Sequence, residues 1–563
     1  MKKEKLFGVL AIILIIIFSI SISPRQLQND TFYTVTIGKL IAEDGIDGID
    51  HFSWHDGLPY TYPHWLYDLG MYFIYNLGSW DGIYISTCVF AAILGIGIYI
   101  TNSRLTKNEI LSFIVTIAVM YLLKGYIAAR AQLVTFILFI LLVYNIERFL
   151  QNKKVKNVLA ILAIQTLIAN LHVAVWPFTF VLYLPYIGEY LIAELIEATL
   201  YKKIQIASLK SKIKKINIKL EKKELDSKKI EKLKNKLIKL NEELQQKKER
   251  VDKIKAKRQE KEGKSYKVII SKNKNARWLI LIMVITILTG LLTPLGTTPY
   301  TYTYLTIKGN TVNNINEHLP LTLINNTPMI CTIIIILALL TFSDLKIKLA
   351  DLFMLGGLCF LMFSSRRQQS MFVLIGSISF TRMVTNFIER HTGYPIKDMI
   401  KKYVNKFIAF ILIAIVLSLS LHFYKEIKDN DYINKKTYPI EASEWILNNL
   451  DVQNIRLYNE YNYGSYLLYK GIPVFIDSRA DLYAPEFNTP TEDKSDGEDI
   501  FMDFINSSNI SSYYGDIFKK YNITHVIVYK NSKINMLIQK ADSEKYREIY
   551  SDDYFVIYEI IRY

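Results

Sequence analysis

The sequence is poor in cysteine, with only three in 563 residues. Cys88, Cys331 and Cys359 each fall within a long apolar run, where free cysteine packs as a small hydrophobe. Residues 425–563 contain none, so disulfide bonds are excluded from this segment. Its stability therefore has to come from its own hydrophobic core.

A signal-peptide cleavage site is also missing near the N-terminus. The apolar run 6–23 follows a basic start, as in a signal peptide, but no small-residue cleavage site comes after it. Pro24 and Arg25 stand where cleavage would occur, and both are unsuited to it. We therefore expect the first run to be retained as a membrane anchor.

Aromatic residues do not interleave with the charges of the most basic segment, residues 201–260. This segment has 22 Lys or Arg against 9 Asp or Glu, which accounts for most of the net charge of +16. Without aromatic interleaving, nucleic acid is not expected as a partner. Two interpretations remain open, contact with anionic headgroups of membrane lipids and a solvated coiled-coil face.

Apolar residues in the same segment follow a heptad spacing on both sides of a break. One series runs from Leu209 to Leu220 in 4-3-4 steps, and the other runs from Leu233 to Ile254. The break around residues 224–227 indicates a helix end and a restart. Because both ends return to the same membrane face, residues 201–275 are expected to form a cytoplasmic coiled-coil hairpin.

Apolar sequence is abundant in the rest of the chain. Hydrophobic residues make up 51% of it, and the mean hydropathy is +0.17. Several apolar runs are shorter than the roughly 20 residues of a full crossing. The predicted spans are 6–23, 82–100, 108–123, 132–149, 155–170, 174–198, 277–294, 328–343, 348–364, 370–386 and 405–423. This pattern predicts an α-helical polytopic membrane protein with about eleven transmembrane helices.

Lys and Arg cluster after alternate spans, as cytoplasmic loops do. The cytoplasmic positions are Lys2, Lys3, Lys5, Arg104, Lys107, Lys153, Lys154, Lys156, Lys346, Lys348 and the stretch Lys397–Lys406. The segments that then lie outside are 24–81, 124–131, 170–173, 295–327, 365–369 and everything after 424. We therefore expect a multi-pass cell-membrane protein with a cytoplasmic N-terminus and coiled coil and an extracytoplasmic C-terminal domain.

All five polar clusters of the membrane portion fall on the outer side of this topology. They are Asp30–Asp68, Arg130 with Gln132, Asn170 with His172, Glu317 with His318, and Arg366 with Arg367. Each cluster lies at the end of an apolar run, where charged and polar groups are costly unless they serve a function. Their convergence predicts one outer-face cavity.

The loop after the first span carries the most acids and histidines. Residues 34–42 and 65–77 can form helices at the membrane interface, the second with Trp, Tyr and Phe suited to the headgroup zone. Asp30, directly after the span, is a candidate general base, although it also suits a helix N-cap. A divalent metal held by His51, His55 and an acid remains an alternative, so the cofactor is left open.

This loop resembles that of the GT-C superfamily of polytopic membrane glycosyltransferases. More narrowly, it is similar to a bacterial membrane-protein group whose loop reads D-x-W-W-H-I-x-T-G, then D-P-F-S, then H-E-W-L. The matching segments here are Asp30–Gly38, Asp50–Ser53 and His64–Leu66. Thr34 replaces the group's His, and the Glu after His64 is missing, so a metal or base role for those two positions does not carry over.

The resemblance continues in sequence order through most of the membrane portion. Four short motifs follow, Arg130–Gln132 (the group's R-P-Q), Asn170–His172 (N-x-H-G), Thr293–Gly296 (N-P-x-G) and Glu317–Pro320 (E-W-x-P). Val173 replaces the Gly of the second motif. Each motif alone is weak, and their common order makes the signal moderately specific.

The resemblance implies a polyprenyl-phosphate sugar as donor and a glycan, lipid or protein as acceptor. The implied catalytic residues are Asp30, Asp50 and His64, and the implied phosphate-binding residues are Arg130, His172, Arg366 and Arg367. Arginine suits phosphate because it can donate two parallel hydrogen bonds. The outward arginines at 366 and 367 also run against the positive-inside tendency, which favours an anionic partner for them. For Arg130, snorkelling of the side chain to the membrane interface remains an alternative.

The segment after Phe423 is predicted to be a small α/β domain. Predicted strands are 455–459, 474–477, 525–529 and 554–559, and predicted helices are 441–450, 512–521 and 533–547. The stretches 459–467 and 475–483 resemble the same group's W-G-G-Y-L and F-I-D-G-R motifs. Acceptor binding is assigned to Tyr463, Asp477, Arg479 and Asp481, with a loop-holding Asp–Arg ion pair as the alternative.

These observations predict four regions and one leading function. The regions are a first transmembrane module (1–200) containing the catalytic loop 24–81, the insert (201–275), a second transmembrane module (276–424) and the α/β domain (425–563). The expected function is transfer of a sugar from a polyprenyl-phosphate-linked donor to an extracytoplasmic acceptor. The alternative is a non-catalytic or flippase-type protein of cell-envelope glycan assembly, although transport sites usually lie nearer the membrane midplane.

Overall fold

The computed structural model describes residues 2–221, 226–264, 267–309, 311–324, 326–393, 406–488 and 498–563. The first half is helical: α1 (Lys2–Ser21), α2 (Asn29–Glu43), α3 (Trp65–Thr106), α4 (Glu109–Leu122), α5 (Ala131–Asn152), α6 (Val155–Leu171), α7 (Phe178–Val181) and α8 (Leu184–Thr199). The insert contains α9 (Lys203–Leu220) and α10 (Ser227–Lys264).

The second half begins with a short strand and continues as helices. Its elements are β1 (Val268–Ile269), α11 (Ala276–Ile287), α12 (Thr298–Lys308), α13 (Thr311–Asn314), α14 (Thr327–Phe342), β2 (Ile347–Lys348), α15 (Leu349–Ser364), α16 (Gln369–Thr392) and α17 (Lys406–Ile427). Short 3-10 turns at Lys124–Tyr126, Val173–Val175 and Arg366–Gln368 lie at the ends of apolar helices, where the sequence predicts polar clusters.

The apolar helices match the predicted spans in position. Among the described residues, five helices are long and apolar enough to cross a membrane, and shorter apolar helices account for the other predicted runs. This supports the coarse fold class, a helical membrane protein. Most of the basic stretch Lys397–Lys406 lies outside the described residues.

Helix α3 joins two segments that the sequence predicts separately, the interfacial helix 65–77 of the first loop and the second span 82–100. Ser79 has a φ of 52° and a ψ of −145°, so the helix is broken there and changes direction. The part before Ser79 packs on α2, where Gly38 is needed because a Cβ would lie 2.1 Å from the Asp68 carbonyl oxygen. The part after Ser79 joins the apolar bundle.

The insert is a pair of contacting helices with a small apolar seam. Leu209 and Ile216 of α9 are buried, as are Leu244 and Val251 of α10. At its base Lys203 and Lys272 form ion pairs with Glu194 and Glu197 at 2.6–3.3 Å. The predicted break at 224–227 falls partly outside the described residues.

The C-terminal segment, residues 425–563, contains a four-stranded sheet. Its elements are α18 (Ile440–Asn449), β3 (Leu457–Tyr458), α19 (Tyr461–Tyr469), α20 (Pro485–Asn488), α21 (Ile500–Asn509), α22 (Tyr514–Lys520), β4 (His525–Tyr529), α23 (Lys533–Ala541), β5 (Tyr546–Ser551) and β6 (Phe555–Ile560). The strand order is β3-β4-β6-β5, with β3 and β4 parallel and the other pairs antiparallel.

Two predictions for this segment are wrong. The apolar stretch 474–477 is not a strand of the sheet, because Val474 forms only an isolated bridge to Ser53 of the first loop. The predicted helix 533–547 ends at Ala541, and Tyr546 begins β5, which pairs with β6. In the first case the partner is distant in sequence, whereas in the second it is the neighbouring strand β6; in both, strand pairing overrides local propensity.

One hydrophobic core joins the first loop to the C-terminal segment. Phe32 of α2 is fully buried and contacts the rings of Tyr438, Tyr466 and Trp80. The Trp54 indole donates a hydrogen bond to the Leu457 carbonyl at 3.0 Å. The first loop is therefore packed between the apolar bundle and the sheet.

Candidate polar cavity

The predicted polar clusters converge on one polar cavity of 1160 Å³. Its walls come from α2, the residues before α3, the start of α5, the second half of α12, the turn at 365–368 and the C-terminal segment. The predicted site residues that line it are Asp30, His64, Arg130, His172, Arg367, Arg479 and Asp481. Residues from both halves of the chain thus meet in a single space.

Asp30 lines the cavity and is in direct contact with Arg130. The Arg130 Nε donates to Asp30 Oδ2 at 2.6 Å, and Arg130 Nη2 donates to the same oxygen. Arg130 Nη1 also donates to Glu317 at 3.1 Å. Burial alone would lower the pKa of Arg130, but these carboxylates outweigh it and raise the pKa, so the guanidinium stays charged.

This arrangement changes the role that Arg130 can have. Its charge is already matched by two carboxylates, so it is poorly placed to bind a phosphate as well. Both of its bonds to Asp30 reach Oδ2, and Oδ1 has no hydrogen-bond partner among the described residues. Arg130 therefore holds Asp30 through one carboxylate oxygen, and the other oxygen is an available acceptor among the described residues.

Arg367 differs from the other cations of the cavity. Arg479 and Arg130 each contact two carboxylates, whereas no carboxylate lies within ion-pair distance of Arg367 among the described residues. One of its nitrogens lies 3.3 Å from His172 Nε2. Because Arg can only donate, His172 Nε2 accepts, and its Nδ1–H donates to Thr135 Oγ1 at 3.1 Å.

The histidines around Arg367 are neutral at physiological pH. Burial, with Arg367 nearby, lowers the pKa of His64 to about 4 and of His318 to about 4. Burial also lowers the pKa of His172, and His64 and Arg367 lower it further. These side chains can hydrogen-bond a ligand or orient Arg367, but they do not add positive charge near pH 7.

An apolar groove of 270 Å³ opens from the cavity beside Arg367. Gln132, His172 and Arg367 line both spaces. Farther along, Phe136 and Phe139 of α5 face Phe178, Val181 and Met371 across the groove. Phe139 is eight residues beyond Ala131, which places it about 12 Å along the helix from the polar end.

A buried ion cluster reaches the cavity through Arg479. Arg479 donates to Asp50 at 2.6 Å and to Asp477 at 2.7 Å, and the Tyr483 hydroxyl donates to Asp477 at 2.6 Å. Burial would raise the pKa of Asp50, but Arg479 and the hydrogen bonds from Ser53 hold it below the usual value. The cluster joins the first loop to the C-terminal segment, as in the loop-holding alternative.

Asp481 presents another carboxylate to the cavity. It accepts hydrogen bonds from the Tyr302 hydroxyl at 2.5 Å and from Thr311 at 3.4 Å. Burial raises the pKa of Asp481. Tyr302 and Thr311 carried no recognisable motif in the sequence, and their contribution follows only from the packing of α12 and α13 against the C-terminal segment.

Four residues assigned to the site from sequence do not line the cavity. Asp50 and Asp477 are enclosed in the ion cluster, and Tyr463 is fully buried with its hydroxyl donating to the Ile527 carbonyl at 2.7 Å. Arg366 hydrogen-bonds the Pro320 carbonyl at 3.4 Å and lines neither the cavity nor the groove. The structure gives these four side chains partners within the protein.

The histidines proposed for a metal site are also separated. His51 pairs with Asp47 at 2.6 Å, whereas His55 donates to the Phe475 carbonyl at 2.8 Å. Within the described part of the chain, no group of three or more His, Cys, Asp or Glu is arranged to hold a metal ion. The first-loop histidines thus do not assemble into one site.

Loss of Asp50 is expected to destabilise the junction between the first loop and the C-terminal segment. Asp50→Ala leaves Arg479 buried with one carboxylate, and breaking such a pair costs about 3–5 kcal/mol. Thermal unfolding of the purified protein should show a lower Tm, with the exposed Asp56→Ala as control. Because the pKa of Asp50 is lowered, its stabilisation is present above about pH 4 and is lost as the pH falls further.

An equal Tm for Asp50→Ala and Asp56→Ala would contradict the stabilising role of the cluster.

Comparison with known proteins gives no independent assignment of these residues. Neither the models of known protein families nor the curated proteins contain a match to this chain.

Proposed function

We propose that this protein is a membrane glycosyltransferase that moves a sugar from a polyprenyl-phosphate-linked donor to an extracytoplasmic acceptor. Support comes from three features that meet at one cavity, namely an acid, a cation without a carboxylate partner among the described residues, and an apolar groove. The resemblance of the first loop to GT-C enzymes is the second line of support.

Arg367 is the observation that carries the proposal. It stands where the polar cavity of 1160 Å³ meets the apolar groove of 270 Å³, and it lacks a carboxylate partner among the described residues. A ligand that fits this junction has an anionic head on the cavity side and a hydrocarbon tail in the groove. A polyprenyl phosphate has this chemistry, and arginine binds phosphate through parallel charge-assisted hydrogen bonds.

The proposed reaction is a displacement at the anomeric carbon of the donor sugar. An acceptor hydroxyl attacks this carbon, and its proton passes to Asp30 Oδ1 as the new C–O bond forms. The bond from the anomeric carbon to the phosphate oxygen breaks, and the polyprenyl phosphate leaves with the electron pair. Arg367 stabilises the charge that develops on the leaving phosphate, and His172 holds Arg367 in place.

The proposed location of the cavity is the outer face of the cell membrane. The basic residues between alternate apolar helices support this orientation through the positive-inside tendency. It puts the N-terminus and the α9–α10 hairpin in the cytoplasm and the C-terminal segment outside. In this orientation the groove enters the outer leaflet, where a lipid-linked donor presents its phosphate.

The decisive experiment measures donor turnover by the purified protein. The protein in detergent is incubated with polyprenyl-phosphate sugars, and release of polyprenyl phosphate is followed by mass spectrometry. Time-dependent release above that of the Arg367→Gln variant supports the enzyme. Donor binding without release in any tested acceptor mixture contradicts it and favours a transport or non-catalytic role.

A further inference from the structure

A separate cleft of 530 Å³ lies in the C-terminal segment. Its lining includes Glu460, which follows β3, and residues 529–534 at the end of β4. Lys436, from the connection between α17 and α18, also lines it. β3 and β4 are parallel, and ligand sites in such sheets form at the carboxyl ends of parallel strands. The position of the cleft is therefore typical of a ligand-binding site.

The cleft presents several cations from separate parts of the chain. Lys436, Lys530 and Lys533 line it, and none has a carboxylate within ion-pair distance among the described residues. All three are exposed. Asp553 and Glu460 are the acids of the same cleft. Burial raises the pKa of Glu460 to about 7, so its negative charge is only partial at neutral pH.

Hydrogen-bond donors complement these cations. Ser508 and Asn531 line the cleft, and the nine-residue helix α23 begins there at Lys533. The Ser532 hydroxyl accepts from the Asn535 N–H and so caps one of the first-turn donors. The preceding N–H groups of the first turn have no intrahelical acceptor, and they form the positive end of the helix dipole.

The cleft adjoins the polar cavity. Glu460 and Ser508 line both spaces. A ligand that extends past these two residues would reach from the lysines of the cleft toward the cavity that contains Asp30. A ligand that occupies both spaces has to be chain-like, and the excess of three lysines over two acids in the cleft favours an anionic one.

We propose that the lysine cleft binds the phosphodiester backbone of an anionic polymer acceptor and feeds its growing end toward the polar cavity. This inference rests on the proposed glycosyl transfer for the identity of the ligand as an acceptor. Binding itself does not depend on turnover. The cleft would hold repeating phosphates, while a terminal hydroxyl of the polymer enters the cavity.

The first test is binding of a fluorescently labelled glycerol-phosphate oligomer to the purified full-length protein. The Lys436→Gln/Lys530→Gln/Lys533→Gln variant is expected to raise Kd by at least about tenfold, because three charge-assisted contacts are removed. The matched control is Lys435→Gln/Lys519→Gln/Lys540→Gln, which makes the same change in net charge at exposed positions outside the cleft. Its Kd should change by less than about threefold, the size expected from long-range charge alone.

Three results would overturn the assignment. They are equal weakening in the two triple variants, equally tight binding of a neutral glucan oligomer, and cleft-dependent binding to phosphatidylglycerol vesicles but not to the oligomer. Circular dichroism and a thermal scan of each variant establish that it is folded. Failure of oligomer binding leaves donor turnover intact, whereas failure of donor turnover leaves oligomer binding intact, so the two proposals are separately testable.

Binding should also strengthen as Glu460 becomes protonated. The oligomer is expected to bind several-fold more tightly at about pH 6 than at about pH 8, since ionised Glu460 repels it above its pKa of about 7. Glu460→Gln should remove most of this pH dependence. That variant keeps the other titratable groups of the cleft, Lys436, Lys530, Lys533, Asp553, Tyr529 and Tyr554, so an unchanged pH dependence would contradict the role of Glu460.

Discussion

Replacement of Asp30 by asparagine is expected to lower sugar transfer about 100- to 10,000-fold, the usual contribution of a general base. Asparagine keeps the size of the side chain and can still accept a hydrogen bond from Arg130, but it cannot take up the proton of the acceptor hydroxyl. The measurement is initial-rate release of polyprenyl phosphate by purified protein at saturating donor.

The matched control for this prediction is Asp44→Asn. Asp44 is the C-cap residue that directly follows the same helix, α2, and its side chain is exposed, so the substitution tests the loss of one carboxylate without affecting the cavity. Both variants should insert into membranes and purify as the unaltered protein does. Equal rates for the two variants would falsify the assignment of Asp30 as the base.

Exchange of Arg367 for glutamine is expected to lower transfer about 100- to 1,000-fold. The side chain remains long and polar, but the charge that would stabilise the departing phosphate is removed. Neutral His64, His172 and His318 cannot replace this charge near pH 7, because their pKa values are lowered by burial. The donor Kd should rise as well, which equilibrium binding of the labelled donor measures directly.

Arg366→Gln provides a demanding control, because it makes the same substitution one residue earlier. Arg366 contacts the Pro320 carbonyl and lines neither the cavity nor the groove. We expect its transfer rate to stay within about threefold of the unaltered protein, as for substitutions away from the reacting groups. A large loss in Arg366→Gln together with an active Arg367→Gln would reverse the two assignments.

The helical membrane class was readable from the sequence because it depends on local composition. Apolar runs such as 132–149 and 370–386 require no distant partner to form helices, and α5 and α16 are found there. The strands of the C-terminal segment were harder to predict from the sequence. Residues 474–477 are apolar enough for a strand, but the first loop occupies them through Ser53, and no local pattern carries that information.

The residues of the candidate site show the same difference between what local sequence predicts and what depends on distant contacts. Sequence alone identified Asp30, His172 and Arg367, because charged or polar groups at the ends of apolar runs are costly and therefore stand out. It could not separate Arg367 from Arg366, since adjacent residues on a turn point in different directions. It also could not place Tyr302, whose contact with Asp481 joins positions 179 residues apart.

The sequence by itself determined where the chain is apolar, where its charges lie and hence that it is built from membrane-type helices. Only the tertiary structure decided how the polar residues divide into roles. It paired Asp30 with Arg130, enclosed Asp50 with Arg479 and left Arg367 without a carboxylate among the described residues. The physical reason is that composition acts locally, whereas the energy of a buried charge depends on partners that folding brings from distant parts of the chain.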